Sequence, residues 1–302
     1  MAVGDISQVD PSRVPGCSYV DTGMYGVANY GAVYLIDDTH PTLIETGIGT
    51  RHEVILELVR AADLTPEDID YIVPTHVHLD HAGGAGFLAE ACPNSTVFVH
   101  ERGVRHLIDP SRLVEGTKAA VGDQWRFYTE PIPVDPERIE GLADGDTLDL
   151  GAYTLEAVEA PGHAKHQHAL FLPEERAVFT ADAAGIYLPS SDAVHPTTPP
   201  PEFDLEQCLS DIERLQSLEP RTLLYTHYGV GLTPELLNRY AQVLVDWVNL
   251  VSEALDEAPD TEAAIEAIVE RHAPVGEWGQ TKAHAETAMN ARGVIGYLNK
   301  ER

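Results

Sequence analysis

The chain is poor in cations and in cysteine. Lys118, Lys165, Lys282 and Lys300 are its only lysines, and Lys plus Arg total 19 against 49 Asp plus Glu, a formal net charge of −30. The acidic residues run along the whole chain and form no tail. Such a surface repels nucleic acid, so no nucleic-acid partner is expected. It also repels itself, which points to a halophilic protein adapted to a salty cytoplasm. The three cysteines, Cys17, Cys92 and Cys208, are far apart. That spacing excludes a disulfide framework and a thiolate zinc site, and fits buried thiols in a reducing compartment. No apolar run approaches the ~20 residues of a spanning helix, so no membrane partner is expected. The stretch Met1-Ala2-Val3-Gly4-Asp5 has neither a basic nor an apolar signal region, so a cytoplasmic location is expected.

What the chain does have is a 43% hydrophobic fraction, enough for a large core, and 14 histidines. Four potential metal ligands crowd into Thr75-His76-Val77-His78-Leu79-Asp80-His81-Ala82-Gly83-Gly84. The preceding Ile69-Asp70-Tyr71-Ile72-Val73 reads as a buried strand, and the residues after Gly84 read as a short helix. The ligands therefore fall on a strand-to-helix loop, where side chains converge on one point held by a rigid scaffold. Imidazole and carboxylate suit Zn²⁺, Fe or Mn and do not demand thiolate.

This H-x-H-x-D-H loop resembles the central motif of the metallo-β-lactamase-fold hydrolase superfamily, over about residues 17–230, and most of all its glyoxalase II-like and lactonase-like members. The resemblance implies an α/β fold, a four-layer αββα sandwich. It implies two divalent metal ions, most often Zn, with Fe or Mn as alternatives. His76, His78 and His163 would hold one ion, and Asp80, His81 and His227 the other, with Asp182 bridging both. His166 and His168 compete with His163, which is preferred because Pro161-Gly162-His163 matches the family pattern. Where the family reads Asp-x-Gly beside the metal loop, this chain reads Glu45-Thr46-Gly47, a departure. Lactonase-like members often use a tyrosine near the bridging aspartate, for which Tyr187 and Tyr228 are the candidates.

The remaining pattern agrees with two blocks of strands flanked by helices. Short β runs at 18–21, 32–36 and 42–45 precede a helix at 51–62 and a proline-started turn at Thr65-Pro66-Glu67-Asp68. A strand at 96–100 and a short helix at 101–108 lead into irregular sequence up to 142, whose aromatics suggest a segment overhanging the site. Strand pairs follow at 147–158 and 169–180, then a proline-rich loop at 189–203 and a helix capped by Asp204 that runs to Ser217. His163, Asp182 and His227 each stand where a strand ends. Residues 1–232 are expected to form the sandwich domain and 233–302 a C-terminal helical appendage. Its first helix carries the stripe Leu237, Tyr240, Leu244, Trp247 and Val251, to be buried against the sandwich, the later helices or the second subunit of a homodimer.

The expected activity is hydrolysis of a small-molecule substrate. A hydroxide bridging the two metals would attack a thioester, ester or lactone carbonyl, with Asp80 orienting it and relaying a proton. No G-x-S-x-G stretch offers a serine route. Lys282 and Arg292 in the last segment would meet an anionic group of the substrate. The alternatives are a mononuclear-iron persulfide dioxygenase-like oxidoreductase on His76, His163 and Asp182, and a non-catalytic metal-binding protein on the same scaffold. A flavodiiron oxygen reductase fits less well, because that family has Glu where His78 stands.

Overall fold

The computed structural model describes residues 2–301; Met1, at the start of the lead-in, and Arg302, at the end of the appendage, lie outside them. The first sheet has seven strands in sequence order: β1 (Ile6–Gln8), β2 (Cys17–Asp21), β3 (Ala32–Ile36), β4 (Thr42–Ile44), β5 (Tyr71–Val73), β6 (Thr96–His100) and β7 (Ile139–Leu142). β1 to β4 pair antiparallel, and β4 to β7 run parallel. The second sheet begins with β8 (Thr147–Asp149), β9 (Thr154–Glu159), β10 (His168–Leu172) and β11 (Ala177–Phe179). A separate hairpin, β12 (Ile186–Leu188) and β13 (Ala193–His195), interrupts it before β14 (Thr222–Tyr225) and β15 (Gly229–Gly231). The strand order of this sheet is β15-β14-β11-β10-β9-β8, with β11 and β14 parallel.

The two-residue alternation of a strand sorts side chains into layers. On β3, Val33 and Leu35 face one apolar cluster, while Ala32, Tyr34 and Ile36 face another. On β10, Leu170 and Leu172 share the cluster of Tyr34, while Ala169 and Phe171 face away from it. That shared cluster is the core between the sheets. The outer face of the first sheet is covered by α1 (His52–Ala61), through Ile55, Leu58 and Val59, and by α2 (Ala85–Ala91), through Ala85 and Leu88. Next come α3 (Val104–Ile108) and α4 (Ser111–Val121). The outer face of the second sheet is covered by α5 (Leu205–Ser217) and α6 (Glu235–Glu257), the latter through its whole expected stripe. Each fully buried Leu, Ile, Val or Phe contributes ~1.5–3 kcal/mol. The architecture is the expected αββα sandwich with C-terminal helices.

Several local readings differ. Residues 111–121, read as irregular, form α4, a helix with no buried residue of its own that Gly122 ends at φ 53. The proline-rich loop contains β13, which pairs with β12. The stripe of α6 is covered within the chain, by α5, β13 and the helices α7 (Thr261–His272) and α8 (Val275–Glu301), so it does not require a second subunit. α8 also reaches α4, and Gly279, at φ 72, separates its first turn from the rest. No helix among the described residues is long and apolar enough to cross a membrane.

Candidate metal centre

All the histidines and carboxylates expected as ligands come to one place, at the ends of β5, β9, β11 and β14. Parallel pairing of β11 with β14 sets the residues after each side by side, Asp182 next to His227. Parallel pairing of β4 with β5 does the same for Glu45 and Thr75. His163 sits in the short connection from β9 to β10, where the N–H of Gly162 donates to Asp211 of α5 at 2.7 Å. A side chain at Gly162 would meet the Cys208 backbone 2.4 Å away, so Pro161-Gly162-His163 is also a packing requirement.

Donor atoms gather in three overlapping clusters, each within 4.8 Å: His76, His78 and His163; His76, His81 and Asp182; Asp80, His81 and His227. Nitrogen faces nitrogen. His76 Nε2 lies 3.0 Å from His78 Nδ1, His163 Nε2 3.1 Å from the same atom, and His227 Nε2 3.2 Å from His81 Nε2. The carboxylate of Asp182 spans them, Oδ2 at 3.2 Å from His163 Nε2 and Oδ1 at 3.4 Å and 3.6 Å from His81 and His227. Asp182 Oδ1 is nonetheless buried without a hydrogen-bond partner. An ionised oxygen left unpaired among inward-facing imidazoles is the mark of a cation site. The donor set fits divalent metal.

The second ring nitrogens are anchored outward. His81 Nδ1 donates to Glu45 Oε1 at 3.1 Å, His227 Nδ1 to the Tyr30 carbonyl at 2.9 Å, and His76 Nδ1 to Thr75 Oγ1 at 3.2 Å. His163 Nδ1 faces the Thr197 carbonyl at 3.4 Å. These partners select the tautomer whose Nε2 lone pair points inward. Glu45 is the hub: Oε1 also receives the hydroxyls of Thr75 at 2.5 Å and Thr226 at 3.0 Å. It is fully buried and holds a left-handed backbone at φ 73, a strained conformation kept by its surroundings. The departure from Asp-x-Gly thus places a longer carboxylate that reaches both halves of the sandwich.

Electrostatics prepare the donors. Burial, reinforced by the neighbouring rings, holds His76 well below its ordinary pKa and His78 down at about 3, and burial lowers His163. Burial would raise Asp182 and Asp80, but the surrounding imidazoles outweigh it and both carboxyls lie low. His81 is the exception. Burial would depress it, yet Asp182, Glu45 and Asp80 hold it well above its usual value. Those carboxylates attract a positive charge to the position a metal would take.

The clusters open into a cavity of about 320 Å³ lined by His78, Asp80, His163, Asp182 and His227. His163 takes the cluster position; His166 stands beside it on the cavity wall, its Nδ1 buried and unpartnered, and His168 stacks on His100 with ring centroids 4.4 Å apart. Neither Tyr187 nor Tyr228 lines the cavity, which corrects their candidacy. Strand β12 turns the Tyr187 ring onto Tyr225 and its hydroxyl toward Asp192. The Tyr228 ring packs beside Tyr19 in the core between the sheets. The cavity tyrosines are Tyr25, Tyr30 and Tyr128, which no motif singles out; Gln124 and Tyr128 come from the turn after α4, the segment expected to overhang the site. Lys282 lines the cavity as expected, whereas Arg292 is half-exposed and faces Glu262 at 3.7 Å.

The model of the metallo-beta-lactamase superfamily matches residues 26–227, more than half of the chain. The chain belongs to that superfamily. Its fold is similar to the crystal structure of an archaeal superfamily protein from Sulfolobus tokodaii, at TM-score 0.71 and 21% identity, covering 93% of this chain and 98% of that one. In sequence it is 25% identical over 240 residues to a hydroxyacylglutathione hydrolase of Hyphomonas neptunium, covering 75% of this chain and 78% of that protein. It is also 25% identical over 242 residues to a nitric oxide reductase of Moorella thermoacetica, covering 79% of this chain. The matched region spans only 47% of the reductase's length. The convergent donors could hold metal, and the relatives include both a hydrolase and a reductase.

Proposed function

We propose that the chain is a dinuclear metal-dependent hydrolase of small thioesters, esters or lactones. The observation that carries this reading is Asp182, whose two oxygens face two different groups of imidazoles, one of them with no other partner. We assign His76, His78 and His163 to one ion, and Asp80, His81 and His227 to the other, with Asp182 between them. Nitrogen and carboxylate donors favour Zn and accept Fe or Mn. Two such ions, when bound, lower the pKa of water toward about 7 and polarise a carbonyl oxygen.

The chain's own residues supply the rest. Asp80 is, with His78, a donor residue only partly buried; its side chain is 24% exposed, against 4% or less for His81, Asp182 and His227. Held ionised, its carboxylate can orient a water and take its proton. Leu79, Leu113, Val121 and Met289 line the same cavity and exclude bulk water from the acyl part of a substrate. Cys17, Cys92 and Cys208 are buried away from the cavity and burial pushes each thiol up, so a thiolate nucleophile has no support.

The test is metal analysis of the purified protein with assays on thioesters, esters and lactones. Two ions per chain and turnover of one class are expected. The reductase relative favours a second reading, the mononuclear-iron oxidoreductase on His76, His163 and Asp182, while His78 still stands against a flavodiiron reductase. Iron with oxygen uptake, and no hydrolysis of any class, would replace the first reading with this one.

A further inference from the structure

Part of the cavity wall is polar in a way that the proposed hydrolysis leaves unused. Gln124 is 8% exposed, and its Oε1 is buried with no hydrogen-bond partner. Tyr25 and Tyr128, both buried, meet hydroxyl to hydroxyl. In such a pair one hydroxyl donates and the other accepts, so the accepting one keeps a proton with no acceptor in the protein. Burial holds both phenols well above their ordinary pKa, so they remain donors. All three residues line the cavity beside Leu113, Val121 and Met289. The wall thus contains one unpartnered acceptor, one unused donor and an apolar surround.

The charge of Lys282 is already matched. Lys282 Nζ pairs with Glu286 Oε2 at 2.7 Å and lies 3.8 Å and 4.2 Å from the ring centroids of Tyr25 and Tyr30. Glu286 also receives the Tyr30 hydroxyl at 3.0 Å and the Asn290 amide at 3.1 Å. An anion drawn to Lys282 would face this carboxylate. Lys282 is therefore not free to meet an anion, which revises the expectation for that residue, while Arg112 of α4 also lines the cavity.

We propose that Gln124 with the Tyr25–Tyr128 pair forms a recognition subsite for a neutral group that both donates and accepts, a secondary amide carried on a short apolar chain. The amide N–H is received by Gln124 Oε1, and its carbonyl accepts from the free tyrosine hydroxyl. This rests on the reading of the same cavity as the substrate site. A site with buried hydrogen-bonding groups rejects an analogue that leaves them unpaired, so these residues set specificity.

The test is calorimetric titration of the full chain with N-ethylpentanamide and with octan-4-one, in which a methylene replaces the N–H. The wild type is expected to bind the amide about tenfold more tightly, the worth of the one hydrogen bond that the ketone cannot make. Gln124→Met, which keeps an unbranched side chain of similar length, should bring the ratio to within about twofold, whereas Tyr25→Phe combined with Tyr128→Phe should weaken both probes, because both carry the carbonyl. Metal content and melting temperature report whether each variant stays folded. Equal affinity of the wild type for both probes, no binding of either, a preference that survives Gln124→Met, or ketone affinity unaltered by the double tyrosine substitution overturns the proposal. Ester turnover is followed in the same preparations. Turnover without amide preference removes only the subsite, and amide preference without turnover removes only the hydrolase reading.

Discussion

At the scale of the residue, the centre depends on carboxylates that serve more than one partner. Asp182 faces His81, His163 and His227 at once. Asp182→Ala should therefore empty both positions, reading well under one metal per chain by elemental analysis; full metal content in this variant would remove the bridging assignment. Glu45 acts one step further out, orienting His81 and tying it to Thr75 and Thr226. Partners of this kind are worth about 10–100-fold in metal affinity or activity. Glu45→Gln is expected to weaken metal binding by that range, measured by competition with a chelator. Away from the centre, His168 is buried against His100, and burial, with the His100 charge, brings it down to about 3. An unfolded histidine titrates near 6.5. Between about pH 6 and 3.5 the unfolded chain therefore binds one proton here that the folded chain does not, and stability falls as pH falls. His168→Leu should flatten the slope of unfolding free energy against pH by up to about 1.4 kcal/mol per pH unit in that window. An unchanged slope would mean that His168 is accessible to protons in the fold.

At the scale of the element, α8 is the brace of the centre. Asn290 accepts the Thr198 N–H at 2.7 Å, and the Thr198 hydroxyl donates to the Asn290 carbonyl at 2.9 Å. Gly293 lies so close that a Cβ there would sit 1.8 Å from the Thr198 oxygen. Thr197, next in the chain, donates to Asp182 Oδ2 at 3.2 Å and presents its carbonyl to His163. One turn earlier, Glu286 holds Tyr30, whose carbonyl anchors His227. A single helix thus steadies residues of both proposed positions. Gly293→Val must push α8 off the 197–199 segment. It is expected to lower stability by more than about 2 kcal/mol and to weaken metal binding in the same variant. Loss of stability with unaltered metal affinity would show that the brace is only structural.

At the scale of the whole molecule, the net charge of −30 sets the response to salt. Apart from the buried Lys282–Glu286 pair, cation-bearing pairs are exposed: Arg60 with Glu57, Arg176 with Glu219 and Arg239 with Asp192 are surface pairs of small individual worth. Self-repulsion among the remaining carboxylates is screened within about 3 Å at molar ionic strength, against about 10 Å at 0.1 M. Melting temperature should therefore rise steeply from low to molar KCl. A flat curve would remove the halophilic reading and leave an ordinary acidic protein.

The sequence by itself determined the strand-to-helix loop of clustered histidines, the two blocks of strands and the order in which the later donor residues appear. Those signals are local: a motif within six residues, period-two alternation, and caps such as Asp204, whose side chain accepts the Gln207 N–H as the pattern predicts. The sequence also flagged Glu45 as a departure, without its role. Only the tertiary structure decided that role, because Glu45 meets His81 and Thr226 across separations of 36 and 181 residues. The cavity wall was equally hidden. α4 has no buried face to betray its period, and Gln124, Tyr25 and Tyr128 share no motif, since each is defined by what it lacks or meets in space. Tyr187 and Tyr228 were misplaced for the same reason: nearness to Asp182 and His227 along the chain does not fix which way a strand residue points, and the register of β12 and the core between the sheets turned both away. Periodicity and caps are short-range properties of a chain, whereas a cavity is made by residues whose only relation is distance in the folded state.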